Sequence, residues 1–210
     1  MNPKLDIYQV KSEVESKLRQ GYITSRVLLG RARFIEEGST KTSSFNDPAH
    51  LPFFYHFATL IKPKTVVESG VGLGLRAACL AQGTEITRFL GLQEVPNSKY
   101  YSPRLAKGNV GDHCKGKINI HSGLITDSSF IDSLNAIEWD LALISEKLPY
   151  ERQMLHMDLL WSRVKLGGMM LIDNQESHEA SQRAFKEFCK IKNRDPVVIN
   201  TRYGVGVIQN

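Results

Sequence analysis

Thr65-Val66-Val67-Glu68-Ser69-Gly70-Val71-Gly72-Leu73-Gly74-Leu75-Arg76-Ala77-Ala78 is the stretch on which the fold turns. A β-branched run ends in a carboxylate, three glycines follow at alternate positions, and an apolar segment of helix-forming residues comes next. A strand therefore passes through a tight turn into a helix. Glycine admits left-handed backbone and leaves the amides open to a ligand, so such a turn is either a bare connection or a cradle for a cofactor. Glu68, placed where the strand ends, favours the cradle.

Downstream the same alternation recurs. Residues 87–92, 117–121, Trp139–Ile144 and 168–172 read as strands, and residues 75–82, 98–110, 127–136, 149–164 and 177–192 read as helices. In the last of these Ala180, Ala184, Phe185, Phe188 and Cys189 share one face. Repeated strand-helix units predict a doubly wound α/β sheet. The end of the chain departs from that rhythm, because residues 196–199 and 203–208 are separated only by Asn200, Thr201 and Arg202. A link this short holds no parallel crossover, so the two strands form a C-terminal antiparallel hairpin. The expected sheet is Rossmann-like, mostly parallel, with about seven strands.

Upstream, Ile7, Val10, Val14 and Leu18 fall on one helical stripe. A small polar loop follows Gly38 through Ser44, and Asp47 as N-cap with Pro48 at the first helical position starts a helix that runs to about Ile61. The division expected is an N-terminal helical appendage over residues 1–46 and a ligand-binding domain over residues 47–210. The appendage reads as a cover for the second substrate, or as a stripe packed on the sheet helices or in a homodimer.

A chain of 210 residues, 41% apolar and 23% charged, fits one ordinary folded domain and is neither disordered nor two enzymes. No apolar run reaches the roughly 20 residues that span a bilayer, and no signal region follows Met1, so a cytoplasmic protein without a membrane partner is expected. With 27 basic against 22 acidic residues, the net charge of +5 favours anionic partners without requiring nucleic acid. Cys79, Cys114 and Cys189 are odd in number and widely spaced, and read as reduced, packed thiols.

The carboxylate and alternating glycines resemble the first motif of the class I S-adenosylmethionine-dependent methyltransferases, in particular the small-molecule O-methyltransferases. The resemblance runs over residues 64–210 and includes Trp139-Asp140-Leu141-Ala142-Leu143-Ile144, similar to the family's fourth strand, and Leu166-Gly167-Gly168-Met169-Met170-Leu171-Ile172-Asp173-Asn174, similar to its fifth. A nicotinamide-binding Rossmann protein, the remoter alternative, would more usually carry Gly-x-Gly-x-x-Gly.

The resemblance implies S-adenosylmethionine as cofactor, with Glu68, Gly70, Gly72 and Gly74 around its methionine end. It implies an acid at the end of the second strand for the ribose diol. Glu94 is the expected residue, although the family spacing falls on Gln93. Gly123 and Leu124 would approach the adenine, Leu124 standing where many relatives have an acid. Ser145 replaces the aspartate that completes a magnesium site in similar enzymes, so no divalent metal is expected even though Asp173-Asn174 matches the rest of it. Glu146 and Asp173 are the candidate catalytic groups, and His178 a further candidate base. The implied reaction is methyl transfer to an oxygen or nitrogen of a small molecule. The alternatives are a donor-binding protein without transfer, or a nucleic-acid methyltransferase using Tyr100, Tyr101 and the basic residues after them.

Overall fold

A computed structural model describes residues 6–20, 50–94 and 102–210. The Gly38 to Ser44 loop, the Asp47-Pro48 cap and the Tyr100-Tyr101 pair lie outside the described residues. The described chain runs α1 (Ile7–Gln20), α2 (His50–Ile61), β1 (Thr65–Ser69), α3 (Leu75–Gly83), β2 (Arg88–Gln93), α4 (Pro103–Gly111), β3 (Lys117–Ser122), α5 (Ser128–Asn135), β4 (Trp139–Ile144), α6 (Tyr150–Trp161), β5 (Val164–Ile172), α7 (Glu179–Ile191), β6 (Val197–Ile199) and β7 (Val205–Gln209). No helix among these residues is long and apolar enough to cross a membrane.

The seven strands form one sheet in the order β3-β2-β1-β4-β5-β7-β6. The first five are mutually parallel, and β7 inserts antiparallel between β5 and β6, as the short link at residues 200–202 requires. From β1 the chain winds outward through β2 to β3, then returns to place β4 on the other side of β1. That reversal opens a crevice above the carboxyl ends of β1 and β4, where ligands of open α/β sheets bind. The quoted glycine turn leaves β1 at this point.

Apolar residues run continuously through the central strands because both faces of a parallel sheet are covered. Val66, Leu141, Leu143, Met169 and Leu171 face a cluster built with Val10 of α1, Phe54 of α2, Leu80 of α3 and Val110 of α4. Their neighbours Val67, Ala142, Ile144, Met170 and Ile172 face the opposite cluster, with Phe130 of α5, Met157 of α6 and Phe188 of α7. The N-terminal stripe belongs to the first cluster. Val10 and Val14 are fully buried, and Ile7 and Leu18 pack beside them. Polar contacts hold the same helix to the terminal hairpin, since Lys11 Nζ donates to the Val198 carbonyl at 2.7 Å and Tyr8 Oη donates to Asp195 Oδ2 at 3.1 Å.

Three element ends differ from the sequence reading for identifiable reasons. β5 begins at Val164, not at 168, because a register irregularity lets Trp139 pair with Val164 and Leu141 with Met169. Gly167, with φ at 77°, makes the bend and leaves Leu166 exposed. The extension takes residues that would otherwise prolong α6, which ends at Trp161. α4 starts at Pro103 under the Ser102 cap, whose Oγ accepts from the Leu105 amide. All three cysteines are buried and free.

Candidate functional site at the glycine turn

Gly70, Gly72 and Gly74 all have positive φ, at 89°, 56° and 73°, a backbone that costs a side chain roughly 1–2 kcal/mol. The turn is held to the end of β2, because the amides of Gly70 and Val71 both donate to the Leu92 carbonyl. Gly74 has a different duty from the first two. A Cβ there would lie 2.9 Å from the Ala106 carbonyl oxygen, so this glycine lets α3 and α4 approach.

Glu68, next to last in β1, has its side chain completely buried. Ser145, at the exit of β4, donates from Oγ to Glu68 Oε1 at 2.9 Å, while Glu68 Oε2 has no hydrogen-bond partner among the described residues. Burial pushes this carboxyl up to about 8, against the pull of the Arg76 guanidinium. A buried acid with one empty oxygen is suited to a ligand cation or donor.

Gln93 and Glu94, adjacent at the end of β2, turn to different partners. Gln93 Oε1 accepts from the Gly72 amide at 2.8 Å and its Nε2 donates to Glu146 Oε1 at 2.7 Å. Glu94 instead faces α6 and the loop after β3. Its Oε1 accepts from the Ile125 amide and from Arg152, and lies 3.1 Å from His156 Nε2. Burial alone would raise the Glu94 carboxyl, but the Arg152 hydrogen bond and its companions hold it below the ordinary range. Gln93, on which the family spacing falls, is thus the residue on the glycines, while Glu94, the residue expected at the ribose, is held by the Ile125 amide and Arg152 with His156 beside it. His156 completes that buried group with Nδ1 2.8 Å from Ser69 Oγ, and burial lowers its proton affinity.

Glu146 lies directly on the turn. A Cβ built on Gly70 would come within 2.3 Å of Glu146 Cγ and 2.6 Å of its amide nitrogen. The Glu146 Oε1 accepts from Gln93 and, at 3.3 Å, from the Glu94 amide, while the buried Oε2 has no partner among the described residues. Burial pushes this carboxyl up to about 7.

Asp173 and Asn174 follow β5. The Asp173 carboxylate is fully buried, and Arg76 of α3 donates to its Oδ2 from Nε at 2.8 Å with Nη2 at 2.6 Å. His50 Nε2 lies 3.3 Å from the same oxygen. Burial would raise this acid, but the Arg76 charge, with His50, holds it down at about 2. Asp173, expected among the catalytic groups, thus ties α2 and α3 together through His50 and Arg76. Asn174 has φ at 66°, and its Nδ2 points to the Ser145 carbonyl at 3.4 Å.

The remaining candidates lie further from this centre in their contacts. Gly123 donates from its amide to the Gln93 carbonyl at 3.1 Å. Leu124 is half exposed, its amide held by Asp127. His178 bonds Ser181 of its own helix at 2.8 Å. Among the described residues no three His, Cys, Asp or Glu side chains gather as a metal site. Sequence reading missed Arg76, His50, Arg152 and His156. Arg76 alone carried a signal, as an arginine in the first turn of an apolar helix, where the helix dipole disfavours a cation.

No protein-family model and no curated protein sequence matches the chain. Solved structures do. The O-methyltransferase from Bacillus cereus in complex with SAH superposes with a TM-score of 0.62 at 14% identity, over 94% of this chain and 90% of that one. The O-methyltransferase NovP gives 0.64 at 15% identity, over 94% and 99%. The fold is that of the class I O-methyltransferases. TomG from Streptomyces achromogenes, an O-methyltransferase involved in tomaymycin synthesis and solved with SAM, has it too, at a TM-score of 0.56 and 14% identity over 93% and 88%. In this methyltransferase fold the glycine turn leaves β1 at the central switch point, and the reversed β7 lies beyond β4 and β5.

Proposed function

We propose that the protein is an S-adenosylmethionine-dependent methyltransferase acting on an oxygen or nitrogen of a small molecule. The observation that carries this reading is Glu68: a fully buried carboxyl with one unpartnered oxygen, beside two left-handed glycines at the switch point of the methyltransferase fold. The donor fits these residues chemically. Its ammonium supplies the cation and the hydrogen bonds that Glu68 Oε2 lacks, and its ribose and methionine need close backbone approach, which the left-handed turn at Gly72 favours. Gln93, bonded to the Gly72 amide, would face the ribose in preference to Glu94.

The donor supplies a methyl group activated by a positively charged sulfur, which leaves as a neutral thioether. The chain's part is orientation and, for a hydroxyl acceptor, removal of a proton. Glu146 suits the proton step: its unpartnered oxygen is buried at the turn, and a proton affinity near neutrality matches a general base. Asp173 steadies the wall through Arg76 and His50. The donor set does not suit magnesium, because Ser145 is bonded to Glu68 and Asp173 Oδ2 already holds a guanidinium cation.

Incubation of the protein with methyl-labelled donor and a cell extract tests this reading. Label is expected in the small-molecule fraction, and chelation of divalent metal is expected to leave it there. Label confined to RNA or protein, or restored by magnesium after chelation, would contradict it, and donor binding without any transfer would favour the donor-binding protein.

A further inference from the structure

Glu146 and Gln93 already cover Gly70 and the Gly72 amide, while Glu68 Oε2 beside them has no partner among the described residues. The Glu146 side chain lies over Gly70, with its Cγ 2.3 Å from the place a Gly70 Cβ would take. Gln93 Oε1 holds the Gly72 amide, and Gln93 Nε2 ties the cover down by donating to Glu146 Oε1. The Glu94 amide adds a longer bond to the same oxygen. The geometry points to a self-capped donor site, in which Glu146 and Gln93 close the glycine turn and the donor enters by expelling the Glu146 side chain. This inference rests on the donor reading above and adds a determinant of affinity and binding order to it.

The closed arrangement leaves one carboxyl oxygen of Glu146 unsatisfied. Glu146 Oε2 is buried with no partner among the described residues, so leaving the turn exposes that oxygen to water or to a donor hydroxyl. Burial, and then the charge of Glu94, favours the protonated Glu146 carboxyl in the closed state, against the Glu94 amide and the Arg152 cation, and Glu68 is a further acid nearby. Expulsion therefore releases a proton, and donor binding tightens as pH rises through neutrality. A donor seated on the turn also leaves the Glu146 carboxylate free for the acceptor, so the donor binds first.

The cap lowers apparent affinity by the fraction of molecules that are open. Calorimetric titration with S-adenosylhomocysteine, at constant pH, compares the full chain with its Glu146→Ala and Glu146→Ser variants, each checked for folding by thermal melting. Removal of the cap is expected to tighten binding about tenfold, the effect of losing roughly one hydrogen bond's worth of closure, and to leave only the pH dependence that Glu68 contributes. Equal or weaker binding by both folded variants, with the unaltered chain binding well, overturns the cap alone. Binding by none of the three overturns the donor reading and the cap with it.

Discussion

Gly72→Arg abolishes binding of S-adenosylhomocysteine while the chain stays folded. Gly72 is the middle glycine of the turn, with φ at 56°, and its amide is the one that faces the end of β2 through Gln93. A side chain there pays a left-handed penalty of roughly 1–2 kcal/mol, which a domain of this size tolerates. It also fills the space by which a ligand reaches the backbone. Calorimetry should show affinity falling by about 100-fold or more, equivalent to about 3 kcal/mol. A folded variant that binds as well as the unaltered chain would remove the turn from the site.

Asp173→Ala gives the largest stability loss. Its carboxylate is buried between Arg76 and His50, and removal leaves the guanidinium in the protein without its counter-charge. Breaking a buried pair from one side costs about 3–5 kcal/mol, a large part of the stability of a single domain. Chemical denaturation should report that loss at neutral pH. The pH dependence has a definite sign: the acid is held at about 2 in the folded chain, so its contribution is present above the ordinary aspartate value and disappears as pH falls through about 2. Unchanged stability in the alanine variant would return Asp173 to the candidates for a free catalytic group.

The contrast between these two residues shows what sequence reading reaches. The glycine turn was legible because the signal is local: a strand, a carboxylate and three glycines act within a few residues of one another. The sheet was legible for a related reason, since strands buried on both faces are apolar throughout, and the three residues between β6 and β7 exclude a parallel crossover. Asp173 is different. Its partners come from α2 and α3, far away in the chain, and neither Arg76 nor His50 has a spacing that points to it. Glu94 likewise reads as a free strand-end acid until α6 brings Arg152 and His156 against it. The stripe of α1 was legible as a helix face, but what it covers is set by distant elements, and the structure packs it in the cluster with α2 while Lys11 ties the helix to β6. β5 was read too short because its first residues join the sheet through a bulge at Gly167, which interrupts the apolar run.

The most direct measurement is a calorimetric titration of the unaltered chain with S-adenosylhomocysteine beside nicotinamide dinucleotide. The account predicts saturable binding of one molecule of the first, lost in Gly72→Arg, and none of the second. Equal binding of the dinucleotide, or no binding of S-adenosylhomocysteine by either the unaltered chain or Glu146→Ala, would contradict it.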